Sequence, residues 1–441
     1  MSPGGAWLAV FLLFPIAGWP LLSPPAFGRM SLAARAVLAG GAGALFLSFA
    51  MTACALFGVA WLPLPLLLAT ALLAGAVRWA LPAEKPGPRP KPERSGLRGG
   101  AAGFLAGAAV LTALAATISG SATSPDLVYF WGAKAQEFAF ARTVDAAFLT
   151  NPFVGYMHPY YPPLVTNLYG FASMAAGRFS WSAATLTFPL LLGALAVGLP
   201  GLLRRSAAGA AGAATSALVV AALAYLGMEA DIGGNGEMPL LFFETLAVAL
   251  LLSPEASGAP GQVLAGLLLA AAATTKVEGL PFTLAAAGLF PLVRPGAARP
   301  WWKSAMRLLA PTALALGAWF AFGASRRIFY GYTESGQFFD LHPDHWKIVL
   351  RSMWSALAGA GHGLPYLVPL LCLLAVGRLR RASLLPLGIA AALTGFLLFT
   401  YLHRSEDPSL WISWSAARVL SPLAMLFGLA ASPDVGQAGT S

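Results

Sequence analysis

An all-α bundle that crosses a membrane many times is the fold class this sequence predicts, and three observations predict it. Of its 441 residues, 58% are hydrophobic and only 10% charged, whereas soluble domains carry roughly 25% charged residues. Mean hydropathy is +0.72. The apolar residues are gathered into runs of about 20, the length a helix needs to cross a bilayer.

In chain order these runs lie at 6–27, 36–58, 61–80, 99–120, 181–202, 207–227, 238–253, 308–324, 361–377, 383–402 and 416–432, about 11 transmembrane helices. The N-terminal stretch lacks the positive n-region of a secretory signal, so it reads as a retained helix. Two segments break the pattern. Residues 160–176 are read as a juxtamembrane helix lying on the outer surface, its tyrosines at headgroup level. Residues 262–293 form two apolar runs flanking TTKVEG, too short for two crossings and too long for one. They are read as a re-entrant pair entering from the cytoplasm, with the tip buried in protein.

The Lys and Arg residues orient the bundle, because cytoplasmic loops carry the excess of them. With the Pro-, Lys- and Arg-rich linker 81–98 inside, 17 of the 27 basic residues face inward, nine face outward and Lys276 lies within the membrane. The charge of +10 is thus a topology signal, and no nucleic-acid site is expected. The linker separates accessory helices 1–80 from a membrane domain 99–432, followed by a short cytoplasmic tail 433–441. Cys54 and Cys372 sit in apolar runs without motif spacing and read as small core residues.

Residues able to do chemistry collect on the outer side. The long first outer loop carries Asp126, then Lys134 and Glu137 on an amphipathic run, then His158 and Tyr161 ahead of a Pro-Pro turn. Glu229, Asp231 and Glu237 occupy the next outer loop, and Arg418 opens the last span. A single carboxylate at a membrane surface is usually only solvated, so the grouping matters more than any member. Lys276 and Glu278 at the re-entrant tip carry more weight, because ionisable groups inside a membrane are expensive and tend to mark function. Their structural reading is a buried ion pair; that of His158 is a turn-stabilising histidine. His342 and His345 bracket Pro343 and Asp344; they could form a metal site, for which two ligand types at one turn are thin grounds. No cofactor or metal is expected, and a divalent cation is not indicated.

The order of an early loop Asp, WGAKA, HPYYPPL, GNGEMPLLFF, TTKVEGLPF and WSAARVLSPLA resembles the GT-C superfamily of membrane glycosyltransferases. The bacterial protein mannosyltransferase-like and aminoarabinose transferase-like members are the most similar. The likeness covers about 99–432 and leaves 1–98 unexplained. Two positions depart from it: Leu127 follows Asp126 where relatives often carry a second acid, and Glu237 stands where Asp is common.

The resemblance implies an enzyme of the bacterial cytoplasmic (inner) membrane with its active site on the periplasmic face. It would invert the sugar of a polyprenyl-phosphate donor while passing it to a glycan, lipid or protein acceptor. Asp126 would be the catalytic base. Arg418, Lys276 and Lys134 would bind the donor phosphate, and His158, Tyr161, Glu237 and Glu278 the sugar or acceptor. A polytopic transporter or flippase is the competing reading, and a structural subunit on a degraded transferase fold a second.

Overall fold

The structure, a computed structural model, describes residues 3–22, 27, 30–82, 97–203, 209–293, 300–328, 341–359, 363–375, 383–403 and 407–431. Most of linker 81–98, the tail 433–441 and the heart of the outer loop at 325–346 lie outside the described residues. So do Arg29, Arg204, Arg205, Arg294, Arg299, Arg378, Arg380, Arg381, Arg404 and Glu406.

The described residues are nearly all helical and contain no strand. Nine of their helices are long and apolar enough to cross a membrane: α1 (Gly4–Leu22), α2 (Leu32–Leu56), α3 (Pro63–Ala80), α4 (Gly99–Ile118), α7 (Trp181–Leu203), α8 (Gly212–Glu229), α12 (Trp301–Arg326), α15 (Leu384–Leu402) and the span Pro408–Ala430. The last is two stacked pieces, α16 (Pro408–Val419) and α17 (Ser421–Ala430). Between them stand α5 (Gly132–Ala141), α6 (Leu164–Ala176), α9 (Glu237–Leu252), α10 (Ala259–Thr275), α11 (Gly279–Val293), α13 (Trp346–Ala358) and α14 (Leu364–Ala375). The runs at 238–253 and 361–377 therefore appear as helices shorter than a full span. The first ends at Ser253-Pro254; of the second the structure describes residues 363–375, helical over Leu364–Ala375 with Pro369 inside the helix.

Local chemistry sets the ends. Ser31 caps α2 by accepting the Ala34 N–H, and Asp407 caps α16 by accepting the Ser409 N–H at 2.9 Å. Pro63 and Pro408 occupy first-turn positions, where a missing N–H costs nothing.

Helix α9 is the axis of the molecule. Every residue from Glu237 to Leu252 is buried, under α7, α10, α11 and α17. A helix that is apolar all round except for two acids has no lipid-facing side to offer, so the other helices wrap it. The packing also runs across the linker, since α2 lies against α7, α10 and α12.

Helix α6 differs from the surface helix expected at 160–176. Residues Leu164 to Ser173 are all buried, because α2 and α5 cover them. Asn167 donates through Nδ2 to the Ser48 carbonyl and to the Ser48 and Thr52 hydroxyls. Tyr169 Oη bonds Thr187 Oγ1 at 2.9 Å. Its tyrosine is thus a core residue, and burial raises that phenol above its ordinary range. The α10–α11 hairpin is deep: α10 packs along α9, and at its end Lys276 meets Glu237, the first residue of α9.

Candidate functional site

Five ionisable side chains from four separate segments form one chain of alternating charge. Asp126 Oδ2 accepts a hydrogen bond of 2.5 Å from Arg418 Nη1. The same Nη1 lies 3.7 Å from Glu237 Oε1, which accepts from Lys276 Nζ at 2.8 Å. Lys276 in turn stands 3.5 Å from Glu278. Asp126 and Arg418 remain about one quarter exposed, whereas the side chains of Glu237 and Lys276 are 5% and 10% exposed. Glu278, at the far end, is 23% exposed, so the network is buried in its middle and accessible at both ends.

Each member is placed by its backbone. Asp126 begins a widened π-type turn, Leu127–Trp131, and its N–H donates to Ser124 Oγ at 3.2 Å. Such single-turn bulges disturb the regular ladder and are frequent at functional sites. Glu237 opens α9, where the unpaired N–H groups of a helix start favour a carboxylate. Lys276 ends α10 in extended conformation, which turns its side chain back toward α9. Arg418 occupies the last turn of α16, just ahead of the break before Ser421-Pro422.

A feature that sequence reasoning missed holds these pieces in register. The 231–236 loop docks on the 121–126 segment through one short parallel bridge, Thr123 with Gly233. Gly233 N–H donates to the Ala122 carbonyl at 2.7 Å, and Ser124 N–H to the Gly233 carbonyl at 3.0 Å. Buried Asn235 crosses the joint: its Nδ2 reaches Ser124 Oγ at 3.4 Å and its Oδ1 accepts the Glu237 N–H at 2.9 Å. A Cβ on Gly233 would stand 2.3 Å from the Ala122 carbonyl oxygen, and one on Gly236 would stand 2.7 Å from the Trp131 ring. The GGNG run at 233–236 was the available signal, since close backbone approach is what glycine permits.

Below the Asp126 end, a cleft of about 20 Å³ is lined by Glu237, Glu244, Lys276, Glu278 and Arg418 against Leu240 and Leu397. That space holds about one water molecule, so a sugar would have to sit above it, beside Asp126. Glu244 was not among the expected site residues. It stands two turns below Glu237 on the same face of α9, and its buried Oε2 has no hydrogen-bond partner, as is also true of Glu237 Oε2 and Glu278 Oε2. Among the described residues no group of three metal-ligating side chains is close enough to hold an ion.

Lys134, His158 and Tyr161 form a neighbouring aromatic cluster instead of joining the ion pairs. Lys134 Nζ lies 5.0 Å from the centre of the Trp131 ring and 3.4 Å from the His158 carbonyl. It is buried, and burial pulls its ammonium down to about 7. His158 adopts a left-handed backbone at φ 49°, shares a 2.8 Å hydrogen bond between Nδ1 and Tyr160 Oη, and stacks on Tyr161 at 4.7 Å. Trp131 joins the two groups, being 6.1 Å from Tyr161 and packed on Gly236 beside the Lys276 stem. Glu229 and Asp231 are exposed and stay outside the network. His345 lies 3.8 Å from Asp344.

Comparison of the chain with protein-family models, curated proteins and solved structures finds no match. The functional reading therefore rests on the geometry of these side chains.

Proposed function

We propose that this protein is an inverting glycosyltransferase that moves a sugar from a polyprenyl-phosphate donor to an acceptor hydroxyl. The site would open on the periplasmic face of a bacterial cytoplasmic membrane. One observation carries the reading: Arg418 is shared between an accessible carboxylate, Asp126, and a buried one, Glu237, that Lys276 neutralises. Only Nη1 of the guanidinium is engaged by these acids. Its remaining donors are left for an incoming phosphate, which a planar fork can hold with two parallel bonds.

In this reading the acceptor oxygen attacks the anomeric carbon as its proton passes to Asp126. The bond from that carbon to the phosphate oxygen breaks, and polyprenyl phosphate leaves with the electron pair. No covalent enzyme intermediate is needed, and the transition state has oxocarbenium character. Arg418 and Lys276 stabilise the departing anion, fixed charges in a poorly solvated site being the largest such contribution. Glu237 keeps both cations charged and aimed. Tyr161, with His158 stacked on it and buried Trp131 behind, offers the sugar an aromatic face. Glu278 forms the far end of the network beside Lys276.

The test is transfer by purified protein in nanodiscs from radiolabelled polyprenyl-phosphate sugars. Asp126→Asn is expected to lower kcat by about 10²–10⁴, the range for a general base, with donor binding retained. Turnover that survives this change removes the proposed base. The competing reading, a transporter, is favoured by one observation, the partnerless Glu244 within the bundle, since such groups mark ion pathways in carriers. Movement of a lipid-linked sugar across proteoliposomes without transfer, abolished in Glu244→Gln, would select it.

A further inference from the structure

Beside the ion-pair network lies a second, larger cavity that neither reading uses. It has a volume of about 440 Å³ and runs between α13 and α16, lined by Arg351, Ser352, Ser355, Ser409, Ser413 and Ala417. The volume falls in the range of small-molecule sites, about 300–1,000 Å³, yet its lining departs from the usual apolar one. On α13 the residues that face it recur at three and four positions, and on α16 at Ser409, Ser413 and Ala417, four apart. Two packed helices whose facing side chains are this small leave a trough between them.

The chemistry of the lining is specific. Arg351 forms no ion pair with any described residue. Its exposed guanidinium is a free fork that suits a carboxylate or phosphate. The hydroxyls of Ser352 and Ser355 make no hydrogen bond within the described residues, Ser409 is bonded to the Asp407 carboxylate, and Ser413 donates to the Leu410 carbonyl, keeping its acceptor lone pairs. Hydroxyls with spare donors and acceptors match the rim of a sugar ring, and no large apolar side chain is present to hold a lipid tail or a hydrophobic peptide.

Position supplies the second argument. Ala417 lines this trough, and the next residue, Arg418, lines the cleft of the charge network. The two spaces therefore lie on adjacent faces of α16, about 100° apart around the helix and separated by about 1.5 Å along it. A polyhydroxylated molecule in the trough would present one end toward Asp126 and Arg418.

We propose that the trough is the acceptor subsite and that the acceptor is a carbohydrate bearing an acidic group. The acceptor role rests on the transferase reading; the binding of an acidic carbohydrate does not. The experiment uses the full chain in neutral phosphatidylcholine nanodiscs without donor. Binding of fluorescent tetragalacturonate is compared with binding of its methyl ester, which has the same backbone and no charge.

The wild type is expected to bind the acid at least about tenfold more tightly than the ester, as for a charge-assisted arginine contact. Arg351→Gln should erase that preference, and Ser413→Trp, which fills the trough from an exposed position, should abolish binding of both. Binding is read without donor or turnover, so a failed transferase reading and a failed subsite give different results. With donor present, Ser413→Trp should raise the KM for acceptor about tenfold and leave hydrolysis of the donor unaltered. A preference that survives Arg351→Gln, or binding indifferent to Ser413→Trp, overturns the proposal. Displacement of the probe by glycerol phosphate in preference to free galacturonate would overturn it too, assigning the trough to a lipid headgroup.

Discussion

Arg418 stands between two acids, and its neighbours show how much a single side chain can be asked to do. Lysine at that position would keep the charge and lose the planar fork. Arg418→Lys is therefore expected to weaken donor binding and lower kcat/KM by roughly 10²–10³, the scale of losing one stabilising donor at a developing anion, as steady-state transfer assays would read. Lys134 gives a prediction about stability. Its ammonium titrates at about 7 in the fold against an ordinary 10.5, so between those values the unfolded chain binds more protons than the native one. Stability from this residue then rises with pH across that window, and below about pH 7 the buried charge bears its full cost. Lys134→Met should raise the melting temperature most at pH 6–7 and least near pH 10; an equal gain at both would contradict the assignment. The sequence marked Asp126, Glu237, Lys276 and Arg418 because charge is rare in so apolar a chain. It gave no sign that Lys134 is buried, since a lysine in WGAKA looks the same whether its helix faces water or is covered by α6 and the 152–161 turn.

At the level of elements, the site depends on a loop-to-loop joint more than on any helix. Gly233→Ala places a methyl group against the Ala122 carbonyl, and is expected to cost ~1–3 kcal/mol, the range for overpacking a close contact. It should also lower turnover, because the joint sets Asp126 against Glu237; intact activity in a destabilised variant would separate the joint from the chemistry. Glu244 belongs to α9 in the same way. A carboxyl group that is 1% exposed and partnerless burdens the fold, so Glu244→Leu should stabilise the protein by ~1–3 kcal/mol in thermal unfolding. Loss of stability would mean that the group is satisfied by something bound. Helix α6 was misjudged from sequence for a physical reason: a short amphipathic run with tyrosines fits either a membrane surface or a polar-lined core. Only the distant partners Ser48, Thr52 and Thr187 decide between them.

For the whole molecule, hydropathy made the bundle legible and left its depth illegible. Nine of the eleven apolar runs correspond to helices of spanning length, because length and composition are local properties. That α9 and α10 pair along their length, bringing Lys276 to the first residue of α9, depends on contacts no single run encodes. So does the packing of α2 onto α7, α10 and α12 across the linker. The orientation inferred from basic residues makes a simple prediction. A cysteine replacing exposed Glu229 should react with an impermeant maleimide in intact cells, and one replacing exposed Lys303 only after permeabilisation; the reverse pattern would invert the protein. The central claim, that an accessible acid and an arginine form one reaction site, is tested most directly by transfer in nanodiscs. Wild-type protein and Asp126→Asn would be compared at equal occupancy by polyprenyl-phosphate sugar. The account predicts that the variant holds the donor and fails to transfer it; transfer at the wild-type rate would contradict it.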